Sequence, residues 1–510
     1  MAGTRDISRR RFFEDSLFAA AAVGAAYART STARTFAQES ADATNSTVSP
    51  NDQLGLMIVG CGGRGGEHIN GLTSRKEIRV HYLCDADEAQ VNRRADDFEK
   101  KFGYRPLAIT DMRRAFDAGD LDLISCATSN HWHVLTGVWA MQAGLHCYIE
   151  KPVSYSVNEG KALVAAAKKY GKCCQTGTQC RSNRSNIDAV RFVREGKIGD
   201  VNFARGLCYK RRKSIGPLGT YEPPKTVDYS LWSGPSPVLP VTRPNFHYDW
   251  HWQRQYGNGD LGNQGPHQTD IARWHLGIER FPNRVIAYGG RLGYDVERQS
   301  QDYVDAGDVA NTIVSIYDYG DKTIVFETRG LDTPAFTGAK VGVIVYGSTG
   351  YLVQVEYGYS VAFDLEGNKI KEFRGGSDSF HYQNFLDAVQ SNDPTKLHAD
   401  ARCGHLSAGL SHIGNASYYL GESNKSSVQE IEEQLKEFGG ADDNVETLRR
   451  TVEHLQANGG VDLERTPMSM GRLLRIDPET EEFIDDAQAN ELLGRTAFQP
   501  GFEVPDAANV

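Results

Sequence analysis

Six residues constrain this chain more than any others. Gly60-Cys61-Gly62-Gly63-Arg64-Gly65 follows directly on the apolar run Leu54-Gly55-Leu56-Met57-Ile58-Val59 and opens a stretch of helical character from Gly65 to Leu72. A second apolar run, Ile78 to Cys84, ends at Asp85, twenty residues after Gly65. A G-x-G-x-x-G turn between strand and helix, with an acid at that distance, is the fingerprint of a dinucleotide-binding βαβ unit. Gly60 permits the tight turn, Gly62 lets backbone approach a pyrophosphate, and Gly65 lets helix and strand pack closely. Gly63 and Arg64 belong to the same turn, where the helix N-terminus attracts the phosphate charge. Asp85 would accept hydrogen bonds from a ribose and repel a 2′-phosphate, which favours NAD over NADP. Arg93 and Arg94, about two helical turns further on, soften that preference.

Strands and helices go on alternating. Asp87 to Phe102, His131 to Ala143 and Val157 to Tyr170 are expected as helices; Leu121 to Ala127, Leu145 to Ile149 and Lys172 to Gln175 as strands. Such alternation predicts a parallel, doubly wound sheet whose ligands bind at the carboxyl ends of its strands. Besides the glycine turn, two polar segments fall there: Thr128-Ser129-Asn130-His131-Trp132-His133 and Glu150-Lys151-Pro152.

Composition narrows the function classes. Of 510 residues, 40% are hydrophobic and 24% charged, so a disordered chain is excluded; the net charge of −10 argues against a nucleic-acid coat. After residue 30 no apolar run approaches the length of a membrane span, so no stable membrane insertion is expected. The first residues tell a separate story. Arg9-Arg10-Arg11 before the Ala-rich stretch from Leu17 to Ala26 resembles a twin-arginine (Tat) export signal, with small-residue cleavage sites at Ala26-Tyr27-Ala28 or Thr35-Phe36-Ala37. Residues 1–37 are therefore read as a removable signal of a periplasmic or otherwise exported protein, and 38–53 as a polar linker. The nine cysteines include no CxxC pair and several end strand-like runs. They read as buried free thiols, consistent with folding in a reducing compartment before export, and no metal site is expected.

Glu150-Lys151-Pro152, the glycine turn and the Asn130-His131-Trp132-His133 segment together resemble the Gfo/Idh/MocA family of oxidoreductases, over about residues 54–421. The resemblance implies an N-terminal Rossmann domain (54–178) and a C-terminal α/β domain (179–421) with a large, mostly antiparallel sheet. It implies hydride transfer between a nicotinamide cofactor and a sugar or polyol carbon. A second landmark of the family is a helix carrying Asp-x-x-x-His-x-x-Asp after a Gly-rich lead-in. Here the lead-in is Gly257 to Gly262, His267 matches the catalytic histidine and Asp270 the following acid. The position four before the histidine holds Asn263 rather than Asp. Asn can orient by hydrogen bonding but cannot carry a carboxylate's proton; Asp260 is one candidate replacement.

An alcohol oxidation needs a proton acceptor and a donor for the developing alkoxide. His267 is the expected base and Lys151 the donor or proton carrier, with Asn263 and Asp270 completing the catalytic group. Glu150 is expected to orient the lysine or its peptide; the family suggests a cis bond before Pro152. Thr128, Asn130 and His133 are expected at the nicotinamide ribose or substrate rim. Gln179, Arg181, Trp252, Arg254 and His267 are the expected substrate contacts, the aromatic run from Asn245 to Arg254 being suited to stack on sugar faces.

Beyond residue 180, strands are expected at Arg284 to Gly289, Ala310 to Tyr317, Thr323 to Thr328, Val341 to Tyr346 and Tyr351 to Val355. One face of that sheet would cover helices. The other would pair with a second subunit in a dimer or tetramer, as is common in the family. His405 and His412 share a helical face and read as core or interface rather than metal ligands. Residues 422–510 read as an acidic helical extension without chemistry of its own. The leading expectation is an exported NAD-dependent oxidoreductase acting on a sugar, glycoside or polyol. The alternatives are an NAD-dependent glycosidase working by transient oxidation and elimination, and a noncatalytic sugar-binding protein.

Overall fold

The computed structural model describes residues 53–510; the segment read as an export signal lies outside them. The chain begins with β1 (Leu54–Val59), α1 (Gly63–Thr73), β2 (Ile78–Cys84), α2 (Glu88–Phe102), β3 (Leu107–Ile109), β4 (Leu123–Cys126), α3 (His133–Gln142), β5 (His146–Ile149), α4 (Val157–Tyr170) and β6 (Cys174–Thr176). The six strands pair in parallel in the order β3-β2-β1-β4-β5-β6. The direction of winding reverses between β1 and β4, and the glycine turn after β1 and the Thr128 segment after β4 sit at that crevice. Side chains alternate across the sheet. Met57 and Val59 enter the core under α3 and α4, whereas Leu56 and Ile58 pack under α1 and α2. Two helix starts are fixed locally: Asp87 caps α2 and Ser156 caps α4.

The second half holds α5 (Arg184–Arg194), β7 (Val201–Tyr209), α6 (Gly265–Leu276), β8 (Arg284–Gly290), β9 (Thr312–Asp318), β10 (Thr323–Arg329) and β11 (Val341–Gly347). It continues through β12 (Gly350–Glu356), β13 (Tyr359–Asp364), β14 (Lys369–Arg374), α7 (Asp378–Gln390) and α8 (Ala401–Leu420). Its sheet runs β14-β13-β12-β11-β7-β10-β9-β8 and then into the extension. Only the β7–β10 pair is parallel among the described pairings. On β7 the residues alternate strictly: Ala204 and Cys208 face a core with Ile271 and Leu276 of α6 and Leu410 of α8, while Phe203, Leu207 and Tyr209 point the other way. This is the α/β architecture expected, with β3, β7, β13 and β14 added beyond the strands read from sequence.

The extension is less helical than expected. After α9 (Val428–Phe438) and α10 (Asn444–Glu453), β15 (Ser469–Met470) and β16 (Leu474–Asp477) both pair with β8, and β17 (Glu482–Phe483) pairs with β16. Ile431, Leu435 and Phe438 of α9, with Leu448 of α10, pack on Phe203, Ile286, Tyr288 and Val325. The extension thus covers, within the same chain, the part of the outer sheet face formed by β7 to β10, which the sequence reading reserved for a second subunit. A buried ion cluster fastens it. Arg450 of α10 donates to Glu327 of β10 at 2.8 and 3.0 Å, and Arg205 of β7 reaches both Glu327 and Asp442. Burial alone would raise the pKa of Glu327; Arg450, Arg205 and Arg329 instead hold it well below the ordinary range.

No disulfide joins the nine cysteines, of which Cys403 alone is not fully buried. His405 pairs with Glu481 and His412 with Ser154, so both serve packing. Among the described residues no cluster of His, Cys, Asp and Glu is placed to hold a metal, and no helix is long and apolar enough to cross a membrane.

Candidate active site

A cleft of about 590 Å³ opens where the carboxyl ends of β1, β4 and β5 meet α6 and the segment 231–251. At its nucleotide end, Gly60 has φ +85°, and a Cβ there would meet the backbone of Ala127 at 2.6 Å. A Cβ on Gly65 would lie 1.8 Å from the carbonyl oxygen of Gly60. Both positions therefore demand glycine. Gly62 and Gly63 instead border open space. The first turn of α1 carries no side-chain cap, which leaves its N–H groups to the cleft. Asp85 accepts from the Cys61 N–H and the Gln90 amide, both at 2.7 Å, and from the Asp87 N–H at 3.0 Å. Burial raises its pKa despite those bonds. Arg94 donates to the carbonyls of Cys61 and Gly62, so its guanidinium braces the turn. Open backbone donors beside a positioned acid suit a dinucleotide; Gly60, Gly62, Gly63, Gly65 and Asp85 would hold it.

The floor of the cleft is organised by Glu150. Its carboxylate receives Arg64 at 2.7 Å and His68 and Gln179 at 3.1 Å, and its second oxygen accepts the Lys151 N–H. Burial would raise the Glu150 pKa; Arg64 first, then His68, holds it well below the carboxylate range. The carboxylate is thus an anchor, engaged by four donors. Gly177 makes room for it, since a Cβ there would lie 2.7 Å from the carboxylate. The Lys151–Pro152 bond is cis. Lys151 Nζ donates to the Asn263 carbonyl at 2.7 Å, with Asn263 Oδ1 at 3.4 Å. Burial lowers the Lys151 pKa, and Glu150 opposes that shift.

His267 stands in the first turn of α6, after Pro266, with its ring 5.2 Å from that of Tyr357. Its Nδ1 is buried without a partner, and no described residue hydrogen-bonds its Nε2. Burial, then the Lys151 ammonium, pushes its pKa down to about 3, so it is a neutral imidazole. Thr128, Asn130 and His133 also border the cleft. Asn130 is held by Asn258 at 3.0 Å, and His133 bridges the carbonyls of Pro152 and Thr128. Gln179 is in the cleft too, holding Glu150 and Tyr148.

Four expected residues lie elsewhere. Asp270 is turned away from His267 and bound by Arg181 at 2.8 and 2.9 Å and by Ser407 at 2.8 Å. That pairing removes both Asp270 and Arg181 from the cleft lining. Trp252 packs with Ile215, Ala306 and Val309. Arg254 bonds Glu422 and the Asp308 carbonyl and borders a second cavity of about 380 Å³. Asp260 cannot substitute for the missing acid, because Arg212 holds it by both oxygens. The cleft wall is formed instead by Trp232, Tyr248, Trp250 and His251, with Tyr357 and Asn263 opposite. Tyr357 was not foreseen: it lies in the turn between β12 and β13, and only the fold brings it to His267.

Segment 226–247 crosses the loop that follows Asp85. Glu88 N–H donates to the Thr226 carbonyl at 2.9 Å, Asp228 N–H to the Ala86 carbonyl at 3.0 Å, and His247 meets Asp87 at 3.1 Å.

Residues 54–178 match the Gfo/Idh/MocA family, described as an oxidoreductase family with an NAD-binding Rossmann fold. A glycosyl hydrolase family 109 protein 1 of Akkermansia muciniphila is 28% identical over 182 residues, covering 33% of this chain and 38% of that protein. An alpha-N-acetylgalactosaminidase of Shewanella oneidensis is 23% identical over 148 residues, 28% of this chain and 32% of that protein. The matched stretch therefore spans less than two fifths of either relative. Among solved structures, the WlbA dehydrogenase of Bordetella pertussis, in complex with NADH and UDP-GlcNAcA, has a TM-score of 0.51 at 18% identity, covering 71% of this chain and 95% of that one. That last likeness is one of fold.

Proposed function

Because the chain belongs, through residues 54–178, to the Gfo/Idh/MocA oxidoreductases, we propose that it moves a hydride between a retained NAD and a hydroxyl-bearing carbon of a sugar, glycoside or polyol. One observation carries the reading: Lys151, Asn263 and the free face of His267 share a single cleft with the glycine turn and Asp85. The nicotinamide, when bound, supplies the hydride acceptor or donor. The protein's own groups handle the proton. As an ammonium, Lys151 has three N–H groups; Asn263 orients up to two, and one is left for a substrate oxygen. His267, kept neutral by burial, accepts the hydroxyl proton. Glu150 fixes the lysine's strand end, and the aromatic wall excludes water and offers faces to a sugar ring. Segment 226–247, bonded to the loop after Asp85, supports a cofactor held through turnover.

A second reading has its own support. The Akkermansia muciniphila and Shewanella oneidensis relatives are named as glycoside-cleaving proteins, and transient oxidation in this cleft would acidify the neighbouring carbon and permit elimination of a glycosidic oxygen. Sugars and glycosides presented to cofactor-loaded protein separate the two. Accumulated reduced nicotinamide with an oxidised sugar supports the first; aglycone release without net reduction supports the second. No response to any of them from protein that binds NAD contradicts both. Residues 1–37 are proposed as a twin-arginine export signal, to be checked by fractionating cells that produce the full chain.

A further inference from the structure

Four histidines border the cleft: His133, His247, His251 and His267. Two are spent. His133 places both ring nitrogens against backbone carbonyls, and His247 directs Nε2 at Asp87. That leaves His267 and His251. Their rings are held differently. The Nδ1 of His267 has no partner, so nothing fixes its tautomer. The Nδ1 of His251 lies 2.5 Å from the carbonyl oxygen of Tyr248. A carbonyl only accepts, so Nδ1 carries the hydrogen and Nε2 is left as a bare lone pair. No described residue bonds that Nε2. The ring is also clamped: Trp250 stacks on it with centroids 3.6 Å apart, and Tyr248 lies 4.7 Å away. An imidazole in the lining of a cleft, with fixed orientation, fixed tautomer and a free acceptor nitrogen, is built to receive a proton or a hydrogen bond.

We propose that His251 Nε2 is the second proton acceptor of this cleft, taking the proton from a substrate carbon adjacent to the one that gives up hydride. The inference rests on the oxidation–elimination reading, and it explains why one cleft would hold two free imidazoles. A simple alcohol oxidation releases one proton, from the hydroxyl, and His267 suffices. Elimination releases a second, from carbon. A bound nicotinamide would accept the hydride when the hydroxyl carbon is oxidised, His267 takes the O–H proton, and the adjacent C–H is acidified. His251 takes that proton. The C–H electron pair forms a carbon–carbon double bond, and the glycosidic C–O bond breaks with its electron pair on the leaving oxygen, which takes a proton from Lys151. Water then adds to the former anomeric carbon and returns a proton to Lys151; His251 returns its proton to carbon; hydride and the His267 proton restore the alcohol. The net change is hydrolysis, with no net oxidation.

Three charged groups surround His251. Lys151, Asp260 and Arg212 face it, and Asp260 is neutralised by Arg212, so the uncompensated neighbour is the lysine cation. Burial first, and then that cation, keep the resting imidazole neutral, its pKa pushed down to about 3; proton uptake becomes favourable as Lys151 hands its own proton to the leaving oxygen and loses its charge.

Two measurements test the assignment. The first needs no turnover. In ¹⁵N-histidine-labelled full-length protein, the resonance that disappears in His251→Gln is expected to show an Nδ1–H tautomer with bare Nε2 at neutral pH. An Nε2–H tautomer or an imidazolium there would overturn the proposal. The second uses 4-nitrophenyl α-N-acetylgalactosaminide in D₂O with cofactor-loaded protein. Wild type is expected to incorporate deuterium at sugar carbon 2. His251→Gln is expected to keep its bound nucleotide and to accumulate reduced nicotinamide with the probe, because the oxidised sugar cannot go on to elimination, while carbon-2 exchange and 4-nitrophenol release fall about 10²–10⁴-fold. Exchange at the wild-type rate in His251→Gln overturns the role of His251 alone. A wild type that binds NAD but neither releases 4-nitrophenol from this probe nor exchanges deuterium at carbon 2 overturns the parent reading and the carbon-proton role with it.

Discussion

Lys151 Nζ and the backbone carbonyl of Asn263 meet at 2.7 Å, joining the end of a Rossmann strand to the lead-in of the helix that carries His267. The contact crosses between the two sheets and sets the lysine's direction without a carboxylate. Lys151→Met is expected to lower turnover about 10²–10⁴-fold while the nucleotide stays bound. Asn263→Asp would place a charge beside the ammonium and raise the lysine pKa, which burial now lowers. The alkaline limb of the pH–rate profile should move upward in that variant, and steady-state kinetics across pH checks it.

Asp270 is expected to prove structural. Its carboxylate is buried on Arg181 and Ser407. Asp270→Asn strands a buried guanidinium, a loss of about 3–5 kcal/mol in comparable pairs. Urea unfolding should show that loss, with turnover per folded molecule within a few-fold of wild type. A collapse of turnover with unchanged stability would restore a catalytic role.

Acid should unfold this protein early. Burial keeps His131, His275 and His412 neutral, each pushed down to about 3, and His381 to about 4. In the unfolded chain they titrate near about 6.5. Below that value the unfolded state binds more protons than the folded one, so stability falls as pH drops from about 6.5 toward the folded values. Above it these groups contribute no pH dependence. Circular dichroism melts should give a lower Tm at mildly acidic than at neutral pH.

The extension should be inseparable from the second sheet. Leu435→Ala removes a side chain buried against the outer face and is expected to cost about 2–5 kcal/mol, measured by urea unfolding. Leu435→Asp should yield protein that aggregates through the uncovered face, seen by light scattering.

Much of this was legible in sequence because it is local. A glycine turn between strand and helix, with an acid after the next strand, fixes its own geometry, and the run of alternating elements fixes a parallel sheet. The placement of Asp270 was not legible: spacing gives its helix face, but Arg181, in a turn after β6, decides where the carboxylate goes. Trp252 and Arg254 were misplaced because Asp249–Trp252 forms a 3-10 turn that sends Trp250 and His251 to the cleft and Trp252 to the core. The short strands of the extension carry too few residues for an alternating pattern, and only pairing with β8 makes them strands.

If a retained nicotinamide exchanges hydride with a sugar carbon beside Lys151 and His267, the nicotinamide absorbance of the protein as purified must respond when sugars and glycosides are added. The purified protein should carry NAD(H) and change its redox state with at least one of them, and Lys151→Met should carry it and not change. Protein that is empty as purified and has no measurable affinity for NAD would contradict that exchange.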